Sequence, residues 1–247
     1  LLIKIKYSGI CHTQLNEISG ILGKDKYLPH CIGHEGVGVV MGIGSSNSKF
    51  NKGDNVVVSW IRKKNFLKTE PIFFYDNNKK INSGGCNTLQ QYTVVTEDRA
   101  FKLSKKNKFL RESVLLGCAL PTAANAILNV AKINKKSRVL IMGMGGLGYS
   151  SLIVLNFLKI KNVVCIDSNK KRLSFFKNTN NLKFECLNKG NINKFVRKNF
   201  ESFDLIIDCT GSKNLIEKTY SLCKKFSGKF IIIGNTKINE KISLKTW

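Results

Sequence analysis

The sequence predicts an α/β chain in two blocks, an irregular β-rich block followed by a doubly wound parallel sheet. Three observations predict it. Up to about residue 120 the chain runs in short apolar stretches punctuated by glycine-rich turns. From residue 137 onward, apolar runs of strand length alternate with helical stretches, as in a parallel sheet covered on both faces. At the start of that second block the apolar run RVLIMG feeds a glycine-rich turn that opens straight into the helical stretch SSLIVLNFLK.

Taken in order, LLIKIKYSG alternates apolar and polar residues as a half-buried strand does. GVGVVMGIG, DNVVVSW, LQQYTVVTE and RAFKL follow as further short strands. Residues 62–85, RKKNFLKTEPIFFYDNNKKINSGG, are polar and irregular and read as a long surface loop. ESVLLGCALPTAANAILNVAKI forms a helical joint between the blocks. The second block then runs RVLIMG, SSLIVLNFLK, NVVCID, KKRLSFFKN, FDLIIDCTG, LIEKTYSLCKK and GKFIIIG, strand and helix in turn.

At 247 residues and 43% hydrophobic content the chain can bury a substantial core. Its longest apolar runs, such as VLIM at 139–142, stop far short of the ~20 residues that span a bilayer. The opening has neither the continuous apolar core nor the small-residue cleavage site of a signal peptide. It also begins without Met and in mid-strand, and the chain stops at ISLKTW, so a fragment truncated at both ends is expected. Eight Cys, at 11, 31, 86, 118, 165, 186, 209 and 223, include no C-x-x-C pair; a reducing cytoplasm is expected, with no disulfide framework. The net charge of +25 would suit an anionic partner. It is spread along the chain among Asn residues, however, without stacking aromatics or base-reading motifs, so neither nucleic acid nor membrane is the expected partner.

Gly143, Gly145 and Gly148 stand in G-x-G-x-x-G spacing between strand and helix. The first allows a tight turn, the second close approach of a pyrophosphate, and the third close packing of helix on strand. Asp167 ends the next strand, 19 residues past Gly148, where a carboxylate would take the ribose hydroxyls of an adenosine. It would repel a 2′-phosphate, which favours NAD over NADP, and the basic run Lys170, Lys171, Arg172 softens that preference.

Cys11 in Cys-His-Thr, His34 in Gly-His-Glu-Gly and Cys118 in Gly-Cys offer two thiolates and one imidazole, donors that Zn²⁺ prefers, with a fourth position left open. With these settings the motifs GICHTQ, LPHCIGHEGVGVV, FNKGDNVVV, QYTVVTEDRAFKL, LLGCALPTAANA, GMGGLG and IDSNKKR are on the page. Through them the chain resembles the zinc-dependent medium-chain alcohol dehydrogenases along essentially its whole length.

The resemblance implies a GroES-like catalytic domain over residues 1–120 and a Rossmann dinucleotide-binding domain over 121–247, both partial. It implies one catalytic zinc on Cys11, His34 and Cys118, with Glu35 as a nearby or exchangeable ligand. Thr13 would bond the substrate hydroxyl and pass its proton outward as hydride moves to the nicotinamide. His12 would touch the cofactor phosphate and Thr122 would pack near the nicotinamide. Gly143, Gly145, Gly146, Leu147 and Gly148 would hold the pyrophosphate, and Asp167 with Arg172 the ribose. Trp60 matches a pocket-lining aromatic. The substrate would be a small alcohol or aldehyde, with polyols, sugar derivatives and glutathione–aldehyde adducts as candidates, and the full-length protein a homodimer or homotetramer.

Three departures stand against the family pattern. The four closely spaced Cys of a structural zinc lobe are missing after DNVVV, so no structural zinc is expected, and Cys86 alone cannot replace them. Gln14 and Asn16 replace an acid and a His of the proton relay, so proton exit would run through water or the cofactor ribose. A last sheet strand and a returning catalytic segment are also missing. The alternative readings are a zinc-free quinone or enoyl reductase of the same superfamily, and a basic nucleic-acid-binding protein.

Overall fold

The computed structural model describes residues 1–21, 23–46, 48–62, 72–176, 182–188, 190–237 and 239–244. The chain divides into two compact units, Leu1–Pro121 and Thr122–Trp247.

In the first unit the alternating start of the chain forms β1 (Leu2–Ser8), which leads into the short helix α1 (His12–Ile18). β2 (Glu35–Gly42) and β3 (Asn55–Ser59) follow. Next come β4 (Ile72–Asp76), β5 (Lys79–Gly84), β6 (Tyr92–Val94) and β7 (Ala100–Lys102). Five strands make one antiparallel sheet in the order β6-β1-β2-β3-β7. The run of valines in β3 serves both faces: Val56 and Val58 join Ile3, Val40, Phe50 and Val95 in one cluster, while Val57 packs with Val37 and Val114 in another. The period-2 geometry of a strand requires this division.

The region read as a long loop is different in its second half. β4 and β5 pair as an antiparallel hairpin that turns at Asn77 and Asn78, both at positive φ (44° and 63°). Asn tolerates that conformation well, so the Asn-Asn pair is the turn signal. The polar composition of KKINSG hid it. Residues 63–71 of the expected loop lie outside the described residues.

The helical joint is also not one helix. A 3₁₀ stretch, Glu112–Gly117, ends at Cys118 (φ −145°, ψ −74°), and α2 (Ala119–Asn125) starts afresh beyond it. A wider turn, Ala126–Ala131, completes the segment and stops at Lys132, which is left-handed (φ 49°). Gly117 just before the break and Pro121 in the first turn of α2 are the local signs of it, which the run of apolar residues masked.

In the second unit β8 (Val139–Met142) is followed by α3 (Gly146–Phe157), β9 (Val163–Asp167), α4 (Lys170–Ser174) and β10 (Lys183–Cys186). Then come α5 (Ile192–Lys198), β11 (Leu205–Asp208), α6 (Lys213–Thr219) and β12 (Lys229–Ile232). The sheet order is β10-β9-β8-β11-β12, with every neighbouring pair parallel. The chain winds outward from β8 one way and then the other, and right-handed crossovers in opposite directions put helices on opposite faces. Strands β8, β9 and β11 are buried on both sides and read as continuous apolar runs, whereas the edge strand β10 is half-buried and was not legible in the sequence. No described helix is long and apolar enough to cross a membrane.

Leu140, Met142, Val164, Ile166, Phe195, Phe203 and Ile206 form the heart of this unit's core. Phe203 is fully buried, with the Arg138 guanidinium 4.5 Å from its ring centroid. Phe203→Ala is expected to destabilise the second unit by about 3–5 kcal/mol, read as a lower urea midpoint for its unfolding transition.

Candidate active site

Strand register explains how distant residues meet in the first unit. Ser8 at the end of β1 pairs with Gly36 near the start of β2, and the Gly9 N–H donates to the Glu35 carbonyl (3.0 Å). Two residues beyond Gly9, Cys11 caps α1 in an extended conformation (φ −87°, ψ 152°). Across the pairing, His34 immediately precedes β2, and its carbonyl accepts from the Trp60 N–H (3.0 Å). Ser59, which pairs with Glu35, donates its buried hydroxyl to the Gly117 carbonyl (2.5 Å). A Cβ on Gly117 would come within 2.7 Å of Glu35 Cβ, so the segment lies tight against β2 and delivers Cys118 to the same sheet end.

Cys11, His34 and Cys118 thereby present ligand atoms that all lie within 4.8 Å of one another. The Cys118 thiol first, and the His34 imidazole next, pull the Cys11 thiol down to about 3. Cys118, facing that thiolate, is pushed up. Burial works to lower the pKa of His34, but the Cys11 charge and the Glu35 carboxylate win and raise it. His34 Nε2 is buried and finds no hydrogen-bond partner among the described residues, and the same holds for Glu35 Oε2. Burial, then the Cys11 charge, raises the Glu35 carboxyl above its ordinary value. Two sulfurs, an orphaned imidazole nitrogen and an orphaned carboxylate oxygen are a donor set that a thiophilic divalent cation satisfies; this is the test by which the residues fit zinc.

The sequence reading missed the part played by Gln14. It treated this residue as a gap in a proton relay, but the side chain is 1% exposed and faces inward. Gln14 Oε1 accepts from the Cys11 N–H (2.7 Å), and its amide nitrogen lies against His34 Nδ1. One buried amide therefore spans two of the three donors. The signal was available, because Cys11 and Gln14 stand at the N-cap and N3 spacing of a capping box.

Thr13 Oγ1 lies 3.6 Å from the Cys11 sulfur, within hydrogen-bond reach of the thiolate. His12, on the first turn of α1, is exposed, and Asn16 is buried. Trp60 is 56% exposed, with the Arg99 guanidinium 5.0 Å from its ring centroid. Thr122 is half-buried and belongs to the second unit.

In the second unit the glycine-rich turn does what its spacing requires. Gly143 sits at φ +87°, which L side chains rarely adopt, and its N–H donates to the Ile166 carbonyl (2.8 Å). A Cβ on Gly148 would come 1.9 Å from the Gly143 oxygen, so only glycine lets α3 pack this closely on β8. Above Gly145, the N-cap of α3, and Gly146 there is open space, and Leu147 follows in the first turn.

Asp167 is 7% exposed and heavily engaged. Its Oδ1 accepts from the Asn169 N–H (2.8 Å), and its Oδ2 from the Met144 N–H (2.7 Å) and Arg172 Nη1 (3.0 Å). Burial alone would raise this carboxyl, but those donors outweigh it and hold it below the usual range.

With this geometry in place, comparison with known families becomes informative. The alcohol dehydrogenase GroES-like domain family matches residues 1–105. An S-(hydroxymethyl)glutathione dehydrogenase of Photobacterium damsela subsp. piscicida is 24% identical over 274 aligned residues, covering 99% of this chain and 73% of the relative. Benzyl alcohol dehydrogenase from Acinetobacter calcoaceticus superposes with a TM-score of 0.81 at 19% identity, over 99% of this chain and 72% of that one. A Sinorhizobium meliloti 1021 protein described as a zinc-binding dehydrogenase, solved with NADP, superposes at 0.77 with 17% identity and the same two coverages. The resemblance drawn from the motifs is thus borne out, as are the GroES-like and Rossmann folds. Within the GroES-like domain, Gln14→Leu would leave the Cys11 N–H and His34 Nδ1 unpaired. It is expected to lower Zn²⁺ affinity about 10–100-fold, measured by competition with a chromophoric chelator.

Proposed function

We propose that this oxidoreductase of the alcohol dehydrogenase family is zinc- and NAD-dependent and moves hydride between an alcohol and its carbonyl counterpart. The observation that carries the reading is the convergence of Cys11, His34 and Cys118 on one point at the end of the first sheet. When bound, the zinc supplies Lewis acidity to the substrate oxygen and the nicotinamide accepts or returns the hydride. Cys11 and Cys118, as thiolates, balance the cation's two charges, and His34 adds a neutral donor, which leaves a fourth position for substrate. Cys118 and His34, both raised beside the Cys11 thiolate, must shed protons to bind it, so loading releases protons and weakens as pH falls.

Thr13, beside the Cys11 sulfur, holds the substrate hydroxyl proton at its Oγ1 and hands it outward. Glu35, buried with a free oxygen, serves as the exchangeable donor next to the metal. Because Gln14 is turned inward between two ligand segments, the proton leaves by way of water or the cofactor ribose rather than through that residue. On the cofactor side, the first turn of α3, from Gly145 through Gly148, receives the pyrophosphate, and Thr122 packs near the nicotinamide. Asp167 takes the ribose hydroxyls, which requires Arg172 to move off Oδ2 or to share it. The substrate is a small alcohol or aldehyde, with a polyol, a sugar derivative or a glutathione–aldehyde adduct as candidate classes. Cytoplasmic action and a symmetric oligomer complete the reading.

Cys11→Ala and His34→Ala are each expected to abolish alcohol-dependent NAD reduction while leaving NAD affinity, measured by fluorescence titration, within about twofold. Turnover that persists in either variant rejects the ligand assignment. Asp167→Gly is expected to shift the ratio of kcat/KM for NAD over NADP toward NADP by at least about tenfold, since one lost hydrogen-bonded charge is worth ~1.5–3 kcal/mol. An unchanged ratio removes Asp167 from the ribose site.

A further inference from the structure

We infer that Arg99 is a positioning residue, which holds the Trp60 indole as a fixed wall beside His34 and so sets how bulky alcohols bind. This role rests on the reading of Cys11, His34 and Cys118 as the substrate's metal centre.

Strand register brings the wall to the site. Glu35 pairs with Ser59, and the Trp60 N–H donates to the His34 carbonyl (3.0 Å), so the ladder runs one residue further and sets Trp60 directly opposite His34. Residues opposite each other in an antiparallel pair send their side chains to the same face. Trp60 is nonetheless 56% exposed. A large ring left open beside a cluster of metal-type donors offers a surface to the carbon body of a substrate. It serves that purpose only if it stays put.

Arg99 is what keeps it there. On the other side of β3, Ala100 pairs with Val58, which brings Arg99, the last residue of the 3₁₀ turn Glu97–Arg99, up to the end of the same strand. Its Nη1 donates to the Trp60 carbonyl, and its guanidinium stands 5.0 Å from the indole centroid. One side chain thus grips both the backbone and the ring. Arg99 gives up hydration to do so: its Nε is buried with no hydrogen-bond partner among the described residues, whereas arginines ordinarily keep their heads in water. A Cβ on Gly85 would come 2.4 Å from that nitrogen, so glycine at 85 makes the room.

The neighbouring charge completes the clamp. Asp98 is fully buried and its Oδ2 accepts from Arg62 Nε. Burial would raise this carboxyl, but the Thr96 hydroxyl and the Arg62 and Arg99 guanidinium groups outweigh it and hold it below the usual range. Asp98 therefore secures Arg62, two residues past Trp60, while Arg99 secures Trp60 itself. The exit of β3 is pinned at two points in a stretch of sequence without cysteine. A ring ordered in advance spares the substrate the cost of ordering it, and the saving grows with the carbon body that packs on it.

The test uses benzyl alcohol and ethanol as probes, in a Trp247→Phe background where Trp60 is the remaining tryptophan of the two. Arg99→Met keeps the length of the side chain and removes its charge and donors. Acrylamide is expected to quench Trp60 emission about twofold more steeply in this variant. KM for benzyl alcohol should rise at least about fivefold with kcat within about twofold, and KM for ethanol should change less than about twofold. Arg99→Lys, which keeps a cation and a donor, should recover part of both effects. Unchanged quenching in Arg99→Met overturns the proposal, as does an equal rise in KM for the two alcohols. Loss of the native circular dichroism in Arg99→Met and Arg99→Lys alike shows that the residue serves the fold only, and overturns it too. A parent chain that turns over neither alcohol counts against the metal-centre reading instead, and the quenching comparison then decides the clamp.

Discussion

The antiparallel register of β1, β2 and β3 is the constraint on which the chemistry of the first unit rests. Once Ser8 faces Gly36 and Glu35 faces Ser59, the chain leaving β1 and the chain entering β2 are held side by side, and Ser59 pins Gly117 beside them. Cys11, His34 and Cys118 each lie within three residues of one of these pins. A one-residue slip in any pair would turn every side chain of that strand to the opposite face and scatter the donors. The valines that flank the register on both faces of β3 oppose such a slip, because it would exchange two buried clusters for solvent. Packing in the sheet thus becomes precision at its end.

The second unit reaches the same result with main chain rather than side chains. The left-handed Gly143 and the contact of Gly148 with its oxygen bring α3 onto β8, and the Met144 N–H closes onto Asp167 at the tip of the neighbouring strand. The glycine-rich turn and the acidic strand end are therefore one bonded assembly. Arg172 adds a cation to it, so the electrostatics at this strand tip are set by a carboxylate already partnered.

Much of this was legible in the residues, for identifiable reasons. Strands buried on both sides, such as VLIM and LIID, announce themselves by composition, and the glycine turn by spacing. The donors Cys11, His34 and Cys118 stood out through their glycine-flanked settings. What stayed hidden depends on context beyond the local pattern. β10 is half-exposed and lacks a continuous apolar run, the β4–β5 hairpin is polar on one arm, and the break at Cys118, marked by Gly117 before it and Pro121 after it, is masked by the apolar residues on either side. Gln14 stood out only as a departure from the proton relay, since sequence gives spacing on a helix and not the direction in which a buried amide is satisfied.

The β4–β5 hairpin is bonded to the segment that precedes His34: the Asn82 N–H donates to the Pro29 carbonyl and the Asn82 carbonyl accepts from the Cys31 N–H, both at 2.9 Å. Its two ends consequently live under different rules. The Asn77–Asn78 tip is free to lengthen, shorten or accept foreign residues, whereas the arm carrying Asn82 is coupled to the strand entry that bears His34. Lineages that remodel this lobe can vary its outer end at little cost, and any graft that disturbs the Asn82 rung would be felt at His34, several residues away.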